Sequence, residues 1–256
     1  MLRVVRGLLL SLAFLSAGCA RPAPPARPAP APQGSRVIIR APSPDEELDY
    51  LLGTLSKLTF FRENNYTVAL PDHPTFREPH PAGDRGRLRA LFVGEVFRPD
   101  AYAAGLAALT AFERIRPRVL ERMRAMNRRW KLRLYDRYQV VLTLYGPGGS
   151  YDPRRGRIVL LTTRDGRFKR PGSHTIVHEM VHLGIQGTIV ERFRLTHWEK
   201  ERVVDLICLR RFGDLLPGYR MQPNPRGREV DAYVDRHGLA DLPAAIVAYV
   251  KDHPRP

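Results

Sequence analysis

His178-Glu179-Met180-Val181-His182, followed by Glu201 and Asp205, is the stretch on which the reading of this chain turns. The first five residues are an H-E-x-x-H. On a helix, residues four apart share a face, so both imidazoles can bind one ion while Glu179 lies beside it. Two histidines at this spacing are a zinc-ligand pattern: the metal brings the pKa of its water toward neutrality, and Glu179 can take the proton. A third protein ligand is then required, with one coordination position left open. Glu201 is the candidate. Asp205, one helical turn further on, can accept a hydrogen bond from the free ring nitrogen of a ligating His and fix its tautomer. The expected cofactor is one Zn2+ per chain.

The flanking residues support a metal over a plain core helix. Ile176, Val177, Met180, Val181 and Leu183 make the expected helix, 173–186, apolar on several sides, so His178, Glu179 and His182 should be buried. Buried ionisable groups without partners are costly, and a metal ion is a partner for all three. Thr196-His197-Trp198-Glu199 is a capping box, S/T-x-x-E, opening a second helix over 197–211. That places Glu201 and Asp205 one turn apart on one face. Glu191, His197, Glu199 and Asp205 itself compete for the third position, His197 most seriously.

Taken together these residues resemble the gluzincins, zinc metallopeptidases in which H-E-x-x-H on one helix is completed by a Glu on the next. The 18 residues between His182 and Glu201 are the gap of the aminopeptidase-N-like branch, and Glu201-x-x-x-Asp205 is similar to the thermolysin-like pattern. The resemblance spans 155–213. It implies an α+β, zincin-like fold, with a small mixed or antiparallel sheet and an active-site helix followed by a second, ligand-bearing helix. It further implies His178, His182 and Glu201 as metal ligands, Glu179 as general base, Asp205 as orienter of His178, and peptide-bond hydrolysis as the activity. Tyr219 and His237 are the downstream side chains that could donate to an oxyanion. The chain lacks a G-A-M-E-N motif, and Lys200 stands where the thermolysin-like pattern has Asn. Ile185 and Thr188 replace the Gly and third His of the metzincins.

Upstream, 157–163 reads as a strand bounded by Gly146-Pro147-Gly148-Gly149 and Asp165-Gly166. Zincins pair substrate backbone along an edge strand before the active-site helix, and 157–163 is the candidate for that role. Its unbroken apolar run fits a core strand equally well. Elsewhere, Ser43-Pro44-Asp45-Glu46 is a capping box opening a helix to about Leu58. Helix is expected over 99–130, kinked or broken near Pro117, and over 242–251. A second strand is expected over 138–145, and 61–88 is read as a surface loop.

Location is written at the N-terminus. Arg3 and Arg6 precede an apolar run, Leu8 to Ala17, too short to span a bilayer as a permanent helix. Leu15-Ser16-Ala17-Gly18-Cys19 resembles a bacterial lipobox. Residues 1–18 are then a lipoprotein signal peptide, and Cys19 is acylated and anchors the chain to a membrane. Residues 19–35 form a Pro/Ala-rich tether that favours extended polyproline II. The catalytic domain occupies 36–256. Ala20 after the Cys points to the outer membrane where a cell has two; a plain secretory signal would give a secreted or periplasmic protein. Cys208 is the thiol that remains, which leaves no internal disulfide, and it reads as a small buried hydrophobe.

The formal net charge is +16, and +14 once Arg3 and Arg6 leave with the signal. The basic residues are densest from Arg114 to Arg137, a stretch suited to an anionic envelope polymer or lipid, or else an ordinary solvated helix face. Nucleic acid is not expected as a partner of an exported chain. Two functions from different classes follow. The first is hydrolysis of peptides or proteins at the cell envelope. The second is a non-catalytic zincin-like lipoprotein with a structural metal and a binding or assembly role. Only the first has a use for Glu179.

Overall fold

The computed structural model describes residues 34–80, 84–235 and 238–255. The expected signal peptide, Cys19, nearly all of the tether and His237 lie outside the described residues. The chain runs through β1 (Arg36–Arg40), α1 (Pro44–Leu55), α2 (Leu58–Glu63), α3 (Arg85–Leu91), α4 (Ala103–Ala108) and α5 (Thr110–Trp130). It continues through β2 (Arg137–Thr143), β3 (Gly149–Asp152), β4 (Arg157–Leu161), α6 (Gly172–Ile185), α7 (His197–Phe212) and α8 (Leu242–Asp252). The architecture is α+β, as expected, around one mixed sheet. No described helix is long and apolar enough to cross a membrane.

The sheet order is β1-β2-β4-β3. β1, β2 and β4 are parallel, and β3 folds back antiparallel on β4 with Gly149 opposite Leu160 and Asp152 opposite Arg157. The two interior strands explain the apolar runs in the sequence. Val140, Val141 and Leu142 of β2 and Ile158, Val159 and Leu160 of β4 are all buried, as parallel strands covered on both faces require. The strand expected over 157–163 is therefore internal, and it has no free edge to offer a substrate. That edge belongs to β3. Its four residues follow Gly146-Pro147-Gly148, where turn chemistry masks so short a strand. Gly146 has φ +100°, and a Cβ there would lie 2.8 Å from the Tyr50 hydroxyl, so the turn before the edge strand requires glycine.

α1 begins at the expected capping box: Ser43 accepts from the Glu46 N–H at 3.2 Å and Glu46 accepts from the Ser43 N–H at 2.9 Å. On its inner face Glu47 is buried and takes three donors on one oxygen, Tyr102 at 2.9 Å, Thr143 at 3.0 Å and the Leu144 N–H at 2.9 Å. Burial lifts this carboxyl to about 7, and the bonds from Thr143 and Leu144 tie α1 to the end of β2.

Two expectations are corrected here. α5 runs through Pro117 unbroken, and the interruption falls at Leu109, between α4 and α5. Proline costs one backbone bond and a clash, but Phe112, Val119, Met123, Met126 and Trp130 form a buried stripe on both sides of it. The segment 61–88 is not simply a surface loop. It contains the end of α2, a 3-10 turn over Pro74–Arg77 and the start of α3. Phe76 is fully buried and meets Phe92 edge-on with ring centroids 5.6 Å apart. One aromatic anchor thus pulls a proline-rich stretch onto the core.

α6 is nearly all buried: Ile176, Val177, Met180, Leu183 and Ile185 expose none of their surface. It extends into a π-helical turn over Gln186–Glu191 before α7. α7 opens on the expected capping box, with the Thr196 N–H donating to Glu199 at 2.8 Å. Such a cap contributes about 1 kcal/mol. Glu199 also accepts from Tyr249 of α8 and from Arg255, so the C-terminal helix is fastened to the start of α7.

Candidate metal centre

α6 and α7 pack against each other, and the contact brings His178, His182 and Glu201 together. The Nε2 atoms of the two imidazoles are 3.0 Å apart, and Glu201 Oε2 lies 3.3 Å from the first and 3.2 Å from the second. These three donors form a nearly equilateral triangle among residues at most 8% exposed. Among the described residues they are the group of His, Cys, Asp and Glu side chains that could hold a metal ion. Three donor atoms this close together in a buried site can be satisfied jointly by one shared cation.

The hydrogen-bond network assigns the tautomer of His178. Tyr219 donates its hydroxyl proton to Asp205 Oδ1 at 2.7 Å, because a carboxylate can only accept. The phenolic oxygen, 2.8 Å from His178 Nδ1, therefore accepts from that nitrogen. Nδ1 carries a proton, and Nε2 is the ring nitrogen that faces the triangle. Asp205 lies 3.4 Å from the same nitrogen and also accepts from the Gln222 N–H at 2.6 Å. Burial would raise the Asp205 carboxyl, yet His178, Gln222 and Tyr219 hold it below the usual carboxylate range. The ring is thus oriented through Tyr219 as well as by Asp205 directly. Cys208, on the same helix as Asp205, is a free thiol that exposes none of its surface, as expected of a small buried hydrophobe.

His182 is held by packing. Tyr151 of β3 stacks on its ring at 4.8 Å and 9°, and the Tyr151 hydroxyl donates to Gln186 Oε1 at 2.6 Å. Burial lowers the His182 imidazole to about 4, which keeps it neutral and able to ligate. Its Nδ1 is a buried donor site without a partner among the described residues.

Glu201 is fixed on both oxygens. Gln222 Nε2 donates to Oε2 at 2.7 Å, and Lys200 Nζ stands 3.2 Å from Oε1. Burial would raise this carboxyl; His182 and His178 hold it well below the usual range, so it faces the imidazoles ionised. Lys200 also lies over the Tyr151 ring, 5.5 Å from its centroid.

The competing third ligands go elsewhere. His197 Nδ1 is 3.9 Å from Glu201 Oε1, on the oxygen away from the triangle, and its Nε2 meets the Tyr66 hydroxyl at 2.9 Å. Glu199 serves the helix cap. Glu191 is exposed and accepts from Gln186. Tyr219, expected as an oxyanion donor, has its hydroxyl on the Nδ1 edge of His178, where it orients the ring instead. His237 lies outside the described residues.

Glu179 projects from α6 beside β3. A Cβ on Gly149 would fall 2.3 Å from Glu179 Oε1 and 2.6 Å from Thr175 Cγ2, so the edge strand approaches the carboxyl this closely only because residue 149 is glycine. Burial raises the Glu179 carboxyl to about 7. Glu179, the triangle and β3 all line one cleft of about 670 Å³, together with Tyr66, His174, His197 and Lys200. His174 is the one of these with a signal in the sequence, since His174, His178 and His182 recur every four residues along α6. Tyr66, Tyr151 and Gln222 reach the site through long-range packing and carry no local signature.

Asp205→Ala is expected to weaken metal binding about 10–100-fold, the usual effect of losing such a supporting partner, and Tyr219→Phe to weaken it less. A competition titration against a chromophoric chelator measures both. Equal affinity in Asp205→Ala and the parent would rule out this orienting role.

Along the outer face of α5, Arg118 and Arg122 pair with Asp214, and Arg116 pairs with Glu113. The basic stretch from Arg114 is thus partly neutralised within the chain. No protein-family model, curated protein or solved structure matches this chain, and its function is read from the geometry of the centre itself.

Proposed function

We propose that the chain is a zinc-dependent hydrolase of peptide bonds in proteins or peptides, of the gluzincin type, acting at the bacterial cell envelope. The observation that carries this reading is the triangle of His178, His182 and Glu201 beside Glu179. Donors about 2.0–2.1 Å from one tetrahedral zinc stand about 3.3 Å apart, and the three distances here are 3.0, 3.2 and 3.3 Å. Two imidazole nitrogens and one carboxylate oxygen, with a fourth side toward a cleft, suit a catalytic rather than a closed structural site.

A zinc ion held there would supply Lewis acidity and bring the pKa of water at the open position toward neutrality. The chain's own residues do the rest. Glu179 accepts a proton at its carboxylate and returns it to the leaving amine nitrogen. A carboxyl raised by burial to about 7 is poised both to take and to release a proton near neutral pH. Tyr219 and Asp205 hold His178 in its ligating tautomer, and Tyr151 holds the plane of His182. β3 presents main-chain N–H and C=O groups to an extended substrate backbone. Tyr66, His174 and Lys200 line the cleft and are the side chains that this reading assigns as candidate donors to a developing oxyanion.

The test is the zinc content of the purified full chain together with cleavage of an unstructured protein such as casein. One zinc per chain and chelator-sensitive cleavage are expected; a metal-free, inactive chain would end the proposal. Anchoring through Cys19 belongs to the same proposal and rests on the lipobox alone. Cells expressing the parent chain should incorporate labelled fatty acid into it, and cells expressing Cys19→Ser should not. An unlabelled parent would leave an ordinary secretory signal.

A further inference from the structure

The acids that line the cleft away from the triangle each have a basic side chain within ion-pair distance. Glu46 pairs with Arg40 at 2.6 Å and has Arg157 at 3.6 Å. Asp49 pairs with Arg85 at 2.9 Å. Asp152 accepts from the Arg154 N–H at 2.9 Å, with Arg155 at 3.9 Å. Three of the cations have no such partner. Lys57, Lys169 and Arg170 line the same cleft, and among the described residues none of the three has a carboxylate within ion-pair distance. Uncompensated charge on the cleft wall is therefore positive, and a metal ion in the triangle would add to it.

We infer that this cleft selects peptides carrying acidic side chains close to the bond that is cut, an inference that rests on the peptidase reading of the same site. A concave wall with one sign of unpaired charge focuses the field and concentrates ligands of the opposite sign. Arg170 is half-buried, so its planar fork is partly ordered before a carboxylate arrives, and less freedom is lost on pairing. The same charge would attract an acidic polysaccharide. The edge strand decides in favour of a peptide: Gly149 to Asp152 line the cleft as the last strand of the sheet, and their main-chain groups match a peptide backbone.

The experiment measures binding and cleavage separately. Full-length Glu179→Gln chain, loaded with zinc, is titrated with short labelled peptides that differ only in carrying Glu, Gln or Lys at the central positions. The Glu peptide is expected to bind at least about tenfold more tightly than the Gln peptide at low salt. The gap should close near 1 M salt, where the Debye length is about 3 Å. Adding Lys169→Glu and Arg170→Glu together should reverse the preference, with zinc content checked to confirm folding. Equal affinity for the Glu and Gln peptides, or preference for Lys, would overturn the inference. So would an acidic polysaccharide that displaces the Glu peptide as well as an unlabelled Glu peptide does. If the unsubstituted chain cleaves Gln peptides as fast as Glu peptides, the acidic preference fails and the peptidase reading stands. If acidic peptides bind preferentially but the unsubstituted chain cleaves no peptide, the charge selectivity stands and the peptidase reading fails.

Discussion

His178→Ala and His182→Ala are each expected to bring the chain from one bound zinc to background. Each removes one corner of a triangle whose sides are 3.0–3.3 Å, and neither leaves a neighbour able to replace it. Structural zinc sites in zinc-finger peptides bind with an apparent free energy of about 10–16 kcal/mol, which sets the scale. Losing one of three protein donors then costs about 3 kcal/mol, a loss on the order of a hundredfold or more. Glu201→Ala should behave in the same way. Glu191→Ala should not, because that carboxylate is exposed and bonded to Gln186. His197→Ala decides the composition of the site, since its ring stands 3.9 Å from the far oxygen of Glu201, and it should leave zinc content unchanged. The absorption spectrum of the cobalt-substituted chain reports the donor set independently. A spectrum requiring three imidazoles would remove Glu201 from the metal, and parent-like zinc content in His178→Ala would remove the site altogether.

Glu179→Gln should keep the metal and lose the chemistry. The substitution preserves shape in a pocket where Glu179 is 6% exposed, and it removes the group that accepts a proton. General acid–base catalysis contributes about 10²–10⁴-fold, and a fall of that size in kcat with unchanged zinc content is expected. Gly149→Ala approaches the same step from the other side of the cleft. Its new Cβ would stand 2.3 Å from Glu179 Oε1, so the carboxyl must turn away or β3 must move. Activity should fall here too, with the metal retained. Full activity in Glu179→Gln would assign the proton transfer to another residue.

The part of the site legible in the sequence is the part written within a few helical turns. His178 and His182 share a face because the α-helix repeats near every fourth residue. Glu201 and Asp205 share one for the same reason, and Thr196 and Glu199 announce where their helix begins. Each of these signals depends only on neighbours along the chain. Buried β2 and β4 were legible as apolar runs, although their pairing was not.

The rest depends on which segments meet. Tyr219 lies 41 residues from His178 and hydrogen-bonds to it, and Tyr151 covers His182 from the edge of the sheet. An isolated tyrosine carries no mark of such a destination. β3 could be recognised as an edge strand beside the centre only from the strand order, since its four residues start within a Gly-Pro-Gly-Gly turn signal. Glu199 looked like a competing ligand until Tyr249 and Arg255, 50 and 56 residues away, were found on its carboxylate.

By itself, the sequence determined the two helices, the face of each that carries the donors, and the metal chemistry those donors suit, because propensity, capping and helical period act locally. Only the tertiary structure decided that the two faces meet with Glu201 rather than His197 at the third corner, that Tyr219 stands behind His178 on its Nδ1 edge, and that β3 is the edge strand beside the cleft. Those outcomes are fixed by burying α6 between the sheet, α5 and α7, a non-local gain in apolar contact that no short stretch of the chain encodes.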